Sequence, residues 1–192
     1  MRYRPGHKEE ARTRILGAAG RGFRRLGYGG IGIDGLAKEA GLTSGAFYGH
    51  FPSKAEAFKA AALAGLVELR EGIEHLRAVE GDAWLEKFAE FYMSVRRTCD
   101  LGQSCALQSL TPEVARAEQD TKAAYEAEML KVVEAVAEGL RPGTLPERRE
   151  TAWAILALLS GGVTLARSAE AAAVGTQIAG AVKSAVLGMA GG

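Results

Sequence analysis

The chain has 192 residues, 47% hydrophobic and 24% charged, with 24 Lys+Arg, 23 Asp+Glu and two cysteines. This balance excludes collagen-like and disordered chains. Two thiols cannot build a disulfide framework, which points to a reducing, cytoplasmic setting. The net charge of +1 conceals an asymmetry: residues 1–59 hold 11 Lys/Arg and 5 Asp/Glu, and residues 60–192 hold 13 and 18. A basic first third on an acidic remainder suggests a polyanion-binding head and a body with another task. Met1-Arg2-Tyr3-Arg4 and the residues up to Arg14 lack the apolar core of a signal peptide. The most apolar run, Thr151–Ala166, lies between Arg149 and Arg167. It falls short of the about 20 residues that span a bilayer, so a buried helix and no membrane partner are expected.

In chain order the elements are helical, and an all-α fold is expected. Lys8–Leu26 repeats Ile15, Ala18/Ala19, Phe23 and Leu26 at helical spacing, with Arg12, Arg14, Arg21, Arg24 and Arg25 interleaved, and Gly27 stops it. A short helix follows at Ile33–Ala40, burying Ile33, Leu36, Ala37 and Ala40. Gly41 ends it, and Thr43 is placed to cap a helix from Ser44 to about His50. Ser53 and Glu56 form a capping box before a long helix with Phe58, Ala62, Leu66, Leu69, Ile73 and Leu76 as its stripe. Asp82 is expected to cap a helix with Trp84, Phe88, Phe91/Tyr92 and Val95 on one face. Cys99–Leu110 is less regular. Thr111-Pro112 opens a helix carrying Tyr125, Met129, Val132, Val136 and Leu140. Arg141-Pro142-Gly143 breaks it, and Thr144 with Glu147 boxes the start of a helix to about Arg167. A small, apolar helix near Ala171–Gly188 closes a set of about nine.

Two short helices joined by Gly41-Leu42-Thr43 have the length and turn chemistry of a helix-turn-helix. The second presents Ser44, Gly45, Ala46, Tyr48 and Gly49 outward, with Phe47 and Phe51 inward. Its small residues let backbone approach base edges in a major groove. Tyr48, His50 and Lys54 are donors within reach of phosphates, and the helix starts at Thr43 and Ser53 aim backbone N–H groups at anions. An ordinary helical hairpin would use the same residues for packing alone.

The run Leu36-Ala37-Lys38-Glu39-Ala40-Gly41-Leu42-Thr43-Ser44-Gly45-Ala46-Phe47-Tyr48-Gly49-His50-Phe51-Pro52-Ser53-Lys54-Ala55-Glu56-Ala57-Phe58 resembles the DNA-binding signature of TetR-type transcriptional regulators. The resemblance covers about Lys8–Lys59. It implies an all-helical homodimer, with a three-helix DNA-binding domain at residues 1–52 and a helical ligand-binding and dimerisation domain at residues 53–192. It also implies that Thr43, Tyr48, His50 and Lys54 hold phosphates of a double-stranded operator while Ser44, Gly45 and Ala46 face bases. Gly32 departs from the pattern, because many members place Ser or Thr there. Ser104-Cys105-Ala106-Leu107-Gln108-Ser109-Leu110 resembles a cysteine-containing segment found in a subset of these regulators.

The reading is therefore a one-component repressor, released from a palindromic operator by a small apolar or aromatic effector. The alternative is a helical small-molecule-binding protein or enzyme without DNA binding. Trp84, Phe88, Phe91, Tyr92, Tyr125, Met129 and Trp153 each suit a core better than a pocket, but together they are many large rings for a body otherwise rich in Ala and Gly, and they are the candidates for the effector pocket. Pro146–Arg167 and Ala171–Gly188 are expected to build the dimer through Leu158, Val163 and Gly161-Gly162. Cys105, with Cys99 as a resolving partner, is a candidate redox pair. Gly27–Gly32 and Gly30–Gly35 both fit G-x-G-x-x-G, but each follows a basic helix instead of a strand, so no dinucleotide is expected. No metal, no other cofactor and no catalytic set is expected from the spacing of His7, His50, His75 and the two cysteines.

Overall fold

In the computed structural model, which describes residues 5–190 and the side chains of residues 11–189, ten α-helices and no strand form among those residues. Arg2 and Arg4 of the basic N-terminal arm, and the side chains of His7 and Lys8, lie outside this range. The helices are α1 Pro5–Gly30, α2 Ile33–Glu39, α3 Ser44–Tyr48, α4 Lys54–Glu80, α5 Trp84–Phe91, α6 Ala106–Ser109, α7 Thr111–Val114, α8 Gln119–Gly139, α9 Leu145–Ser168 and α10 Ala172–Ala190. Gly27 bends α1 at φ 73°, where the sequence predicts its end. The glycine-rich runs extend from the end of α1 through the link into the first turn of α2, so neither follows a strand.

The described chain forms two compact units. One joins residues up to Gly65 with Asp100–Tyr125, and the other joins Leu66–Cys99 with Glu126 onward. This grouping by contact differs from a single cut after residue 52, because the segment from Asp100 packs with the N-terminal helices.

In the first unit Ile15, Ala18, Ala19 and Phe23 of α1 are buried with Leu36, Ala37, Phe47, Phe51 and Phe58. Each such Phe costs about 3–5 kcal/mol when cut to Ala, so the four of them dominate a small core. Three expected burials in this region are corrected. Leu26 is 54% exposed, and Ile31 takes the buried place expected of Ile33, which is half-buried like Ala40. The α2 helix starts at Ile33 after an extended Gly32, so Ile31 reaches the core from the link, outside the helical period. Gly65 on α4 is pressed against α6: a Cβ there would lie 2.2 Å from the Cβ of Ala106. Asp100 caps the turn at Leu101–Gln103 through the Gly102 N–H at 2.9 Å and takes Arg25 at 2.8 Å. The helix expected from Thr111 is broken: α7 is one turn with Pro112 at its start, Thr111 lies inside it, and α8 begins at Gln119.

In the second unit Asp82 is not a cap. It sits within a 3₁₀ turn, Gly81–Ala83, and Ala83 precedes α5. Trp84, Phe88 and Tyr92 form a buried ring cluster, Trp84 stacked on Phe88 and Tyr92 edge-on to it, and the Trp84 indole N–H donates to the Gly139 carbonyl at 3.1 Å. A π-helical turn at Tyr92–Arg96 follows α5. A π turn carries more residues than an α turn, so Tyr92 and Met93 face inward while Phe91 and Val95 are 39% and 51% exposed. The capping box at Thr144 and Glu147 forms in both directions.

The α9 and α10 helices pack on each other so closely that a Cβ on Gly162 would meet Val182 at 2.8 Å. Val163 is 1% exposed and belongs to this core, so it is not an interface residue. Both helices are long and apolar enough to cross a membrane by length and composition. Residues 151–166 are only part of α9, which runs from Leu145 to Ser168, so their length does not bound the helix, although Ile155, Leu156, Leu159 and Ala166 are buried in it as expected.

Tyr125 provides a test of the first unit. Burial pushes its phenol up to about 12 from 10.0, against the lowering effect of its hydrogen bond with Thr111 at 2.7 Å. Above about pH 10 the unfolded chain has released a proton that the folded chain keeps, so stability falls as pH rises toward 12. The loss is on the order of 3 kcal/mol across that window. Tyr125→Phe should flatten this alkaline decline in denaturant unfolding, and an unchanged decline would contradict the assignment.

Candidate nucleic-acid interface

A five-residue helix is too short to persist alone. The α3 helix is held at both ends and underneath. At its entry, Gly41 takes φ 69°, and the Leu42 N–H donates to Ala37 O at 2.8 Å while the Gly41 N–H donates to Lys38 O at 3.0 Å. This paired closure of α2 suits glycine, because a Cβ disfavours that conformation. Thr43 then caps α3, its Oγ1 accepting from the Ala46 N–H at 3.2 Å. Underneath, Phe47 and Phe51 are 0% and 1% exposed, with ring centroids 5.6 Å apart.

That anchoring turns the remaining side chains outward. Gly45, Ala46 and Tyr48 are exposed, and Ser44 and His50 are half-buried. A Cβ on Gly45 would meet no atom within 4 Å, so the free protein has no packing need for glycine there. The open space suits close approach by something outside the chain. Lys54 begins α4, after Ser53 whose Oγ accepts from the Glu56 N–H at 3.1 Å.

Three partners of this surface were not legible in the sequence. Asp34 on α2 accepts a hydrogen bond from the Ser44 hydroxyl. Arg12 on α1 lies over the Phe51 ring at 5.0 Å and donates to the His50 carbonyl at 3.3 Å. The Lys54 ammonium lies 4.4 Å from the centre of the Tyr28 ring, which contacts Phe23 and Phe58. Tyr28 follows the glycine bend, outside any periodic stripe, so only the composition of the turn could have marked it. Gly32 precedes α2 with no side-chain cap, as its residue type requires.

The effector candidates are dispersed. Trp84, Phe88 and Tyr92 form one buried ring cluster in the second unit, where Met129 is half-buried and Phe91 and Trp153 are each 39% exposed. Tyr125 belongs to the first unit. The cysteines are also divided. Cys105 is 7% exposed in the first unit, while Cys99 in the second lies 3.2 Å from an Arg167 nitrogen.

Residues 15–61 match the family model described as bacterial regulatory proteins, tetR family. No curated protein matches the chain. Among solved structures, it is similar to E. coli NemR in its reduced form, with a TM-score of 0.77 and 16% identity over 94% of this chain and 97% of that one. A TetR-family transcriptional regulator from Streptomyces coelicolor gives a TM-score of 0.74 at 20% identity, covering 94% of each chain. A putative TetR-family regulator from Mesorhizobium loti gives 0.68 at 17%, covering 94% and 96%. At these identities the likeness is one of fold.

The bare start of α2 gives a test. Gly32 has extended backbone and room for a Cβ. Gly32→Thr should cap α2 and raise stability by about a few tenths of a kcal/mol. It should also tighten duplex binding severalfold through the added hydroxyl. Unchanged or weaker duplex binding by a stabilised variant would place this terminus away from the phosphates.

Proposed function

We propose that this chain, with the DNA-binding segment and all-helical fold of TetR-family transcriptional regulators, is a dimeric repressor. It would leave a palindromic operator when a small apolar or aromatic effector binds. The observation that carries the reading is the anchored α3, which holds small residues outward between groups suited to phosphate. Residues 1–52 would be the DNA-binding head and residues 53–192 the ligand-binding and dimerisation body. The regulators to which the chain is similar are not enzymes, which sets the enzymatic alternative aside.

On this reading Thr43, Tyr48, His50 and Lys54 hold phosphates, and Ser44, Gly45 and Ala46 face bases. Arg12 adds a positive charge beside His50. The Ser44 proton is directed to Asp34, so the pair offers acceptors to a base edge. Acceptors suit the amino groups of cytosine or adenine, and this gives α3 a coding preference that Gly45 and Ala46 lack. An effector acts by binding one head spacing better than another, and its differential affinity sets the loss of operator binding. The Trp84–Phe88–Tyr92 cluster supports an aromatic lining for the effector site in the body.

The exposed faces of α9 and α10 support a dimer built on them. Leu165 is 61% exposed, and Val174, Met189 and Trp153 are 45%, 43% and 39% exposed. An apolar surface of this kind calls for a partner, and a second copy related by a two-fold axis supplies it. Leu165→Glu places a charge on this face without touching the core. It should give monomers by sedimentation and lower operator affinity at least tenfold. A variant that remains a dimer would remove α9 from the interface.

Duplex binding is the direct test, using fragments selected from genomic DNA. Tyr48→Phe with Lys54→Ala should abolish tight binding while leaving the helical signal unchanged. Lys54→Ala alone should flatten the salt dependence by about one unit in the log–log slope, because one fewer counterion is released. A double variant that binds with the original slope would overturn the contact assignment.

A further inference from the structure

Cations of the first unit are held in two ways. Arg21 and Arg25 both reach Glu39, Arg25 also reaches Asp100, and Lys59 reaches Asp120 at 2.8 Å. Lys54 is held otherwise. Its ammonium lies 4.4 Å from the centre of the Tyr28 ring, and among the described residues it forms no ion pair.

The two kinds of seat differ in what they leave for an outside anion. A carboxylate neutralises the charge it binds, whereas a ring face attracts an ammonium and leaves its net charge in place. An ammonium also carries three donors, so contact with a ring leaves others directed away from it. Lys54 gains nothing for its own helix, because it is the first residue of α4, where the macrodipole disfavours a cation.

The ring is itself held. Gly27 bends α1 at φ 73°, and the Tyr28 N–H donates to the Glu113 carboxylate at 3.3 Å. The Tyr28 ring stacks on Phe23 with centroids 6.1 Å apart and meets Phe58 edge-on at 5.2 Å. Both phenylalanines are buried, so the seat for Lys54 is fixed to the core of the unit.

We propose that Tyr28 is a positioning residue for DNA binding: its ring seats the Lys54 ammonium, still carrying its full charge, where it meets a phosphate. The lysine keeps this seat in the complex and donates to the phosphate with its outward N–H groups. A lysine side chain is rich in rotamers, and holding it before the duplex arrives lessens the entropy lost on binding. The proposal rests on the reading above that Lys54 meets phosphate, and the experiment separates the two.

The measurement is the affinity of the full-length protein for a duplex selected from genomic DNA, over a series of salt concentrations. Tyr28→Leu should weaken binding about threefold or more and keep the salt slope, because the charge of Lys54 remains. Tyr28→Phe should bind within about twofold of the original protein, since the ring face suffices. In a Lys54→Ala background Tyr28→Leu should have no further effect, a result that general damage to the unit would not give. Replacing Tyr28 with phenylalanines of increasing ring fluorination removes the negative face with little change of shape. Affinity should then fall with each added fluorine, which tests the role even where Tyr28→Leu misfolds. An equal loss from Tyr28→Leu in both backgrounds, or affinity indifferent to fluorination, would overturn the positioning role and leave the phosphate contact of Lys54 standing. Lys54→Ala that binds with the original affinity and slope would contradict that contact, and the positioning role with it.

Discussion

The interface depends on burying Phe47 and Phe51 beneath a helix of five residues. With both rings almost fully enclosed, α3 has one stable rotation about its axis, and the positions between and before the rings must face out. The glycine turn at Gly41 and the Thr43 cap fix where the helix begins; the rings fix which face it shows. Remove the anchor and α3 has too few backbone hydrogen bonds to survive. Every inference about Ser44, Gly45, Ala46 and Tyr48 passes through that constraint.

A second layer sets the charges around this helix. Phe23, Tyr28 and Phe58 tie the end of α1 to the start of α4 and give Lys54 an aromatic support. Arg12 is held against Phe51, and Arg21 and Arg25 both reach Glu39 on α2. Arg25 also reaches Asp100, which brings the segment after residue 99 into the electrostatics of the helix-turn-helix. These surface ion pairs contribute modestly to stability. They nonetheless give Asp100–Tyr125 a physical connection to α2 within one compact unit.

Much of this was legible locally. The ends of α2 and α3, the inward turn of Phe47 and Phe51, and the capping box at Thr144 follow from residue type and spacing over a few positions. What could not be read depends on contacts distant in sequence or on altered helical pitch. Ile31 replaces Ile33 in the core because it lies in the link between α1 and α2, ahead of the extended Gly32. Phe91 and Val95 turn outward because a π turn changes the period. Asp34, Arg12 and Tyr28 join the surface through tertiary contacts that leave no periodic signal, and the break at residues 115–118 divides a helix that the apolar spacing alone would continue.

The central claim is that α3 enters a major groove. Gly45, whose missing side chain faces open space, allows that claim to be tested at one position. A Gly45→Cys variant carrying a photoactivatable cross-linker would be bound to a duplex selected from genomic DNA, and the cross-linked nucleotides mapped. The account predicts cross-links to major-groove base atoms in two half-sites about one helical turn apart. Cross-links confined to one strand end, or none in a bound complex, would contradict it.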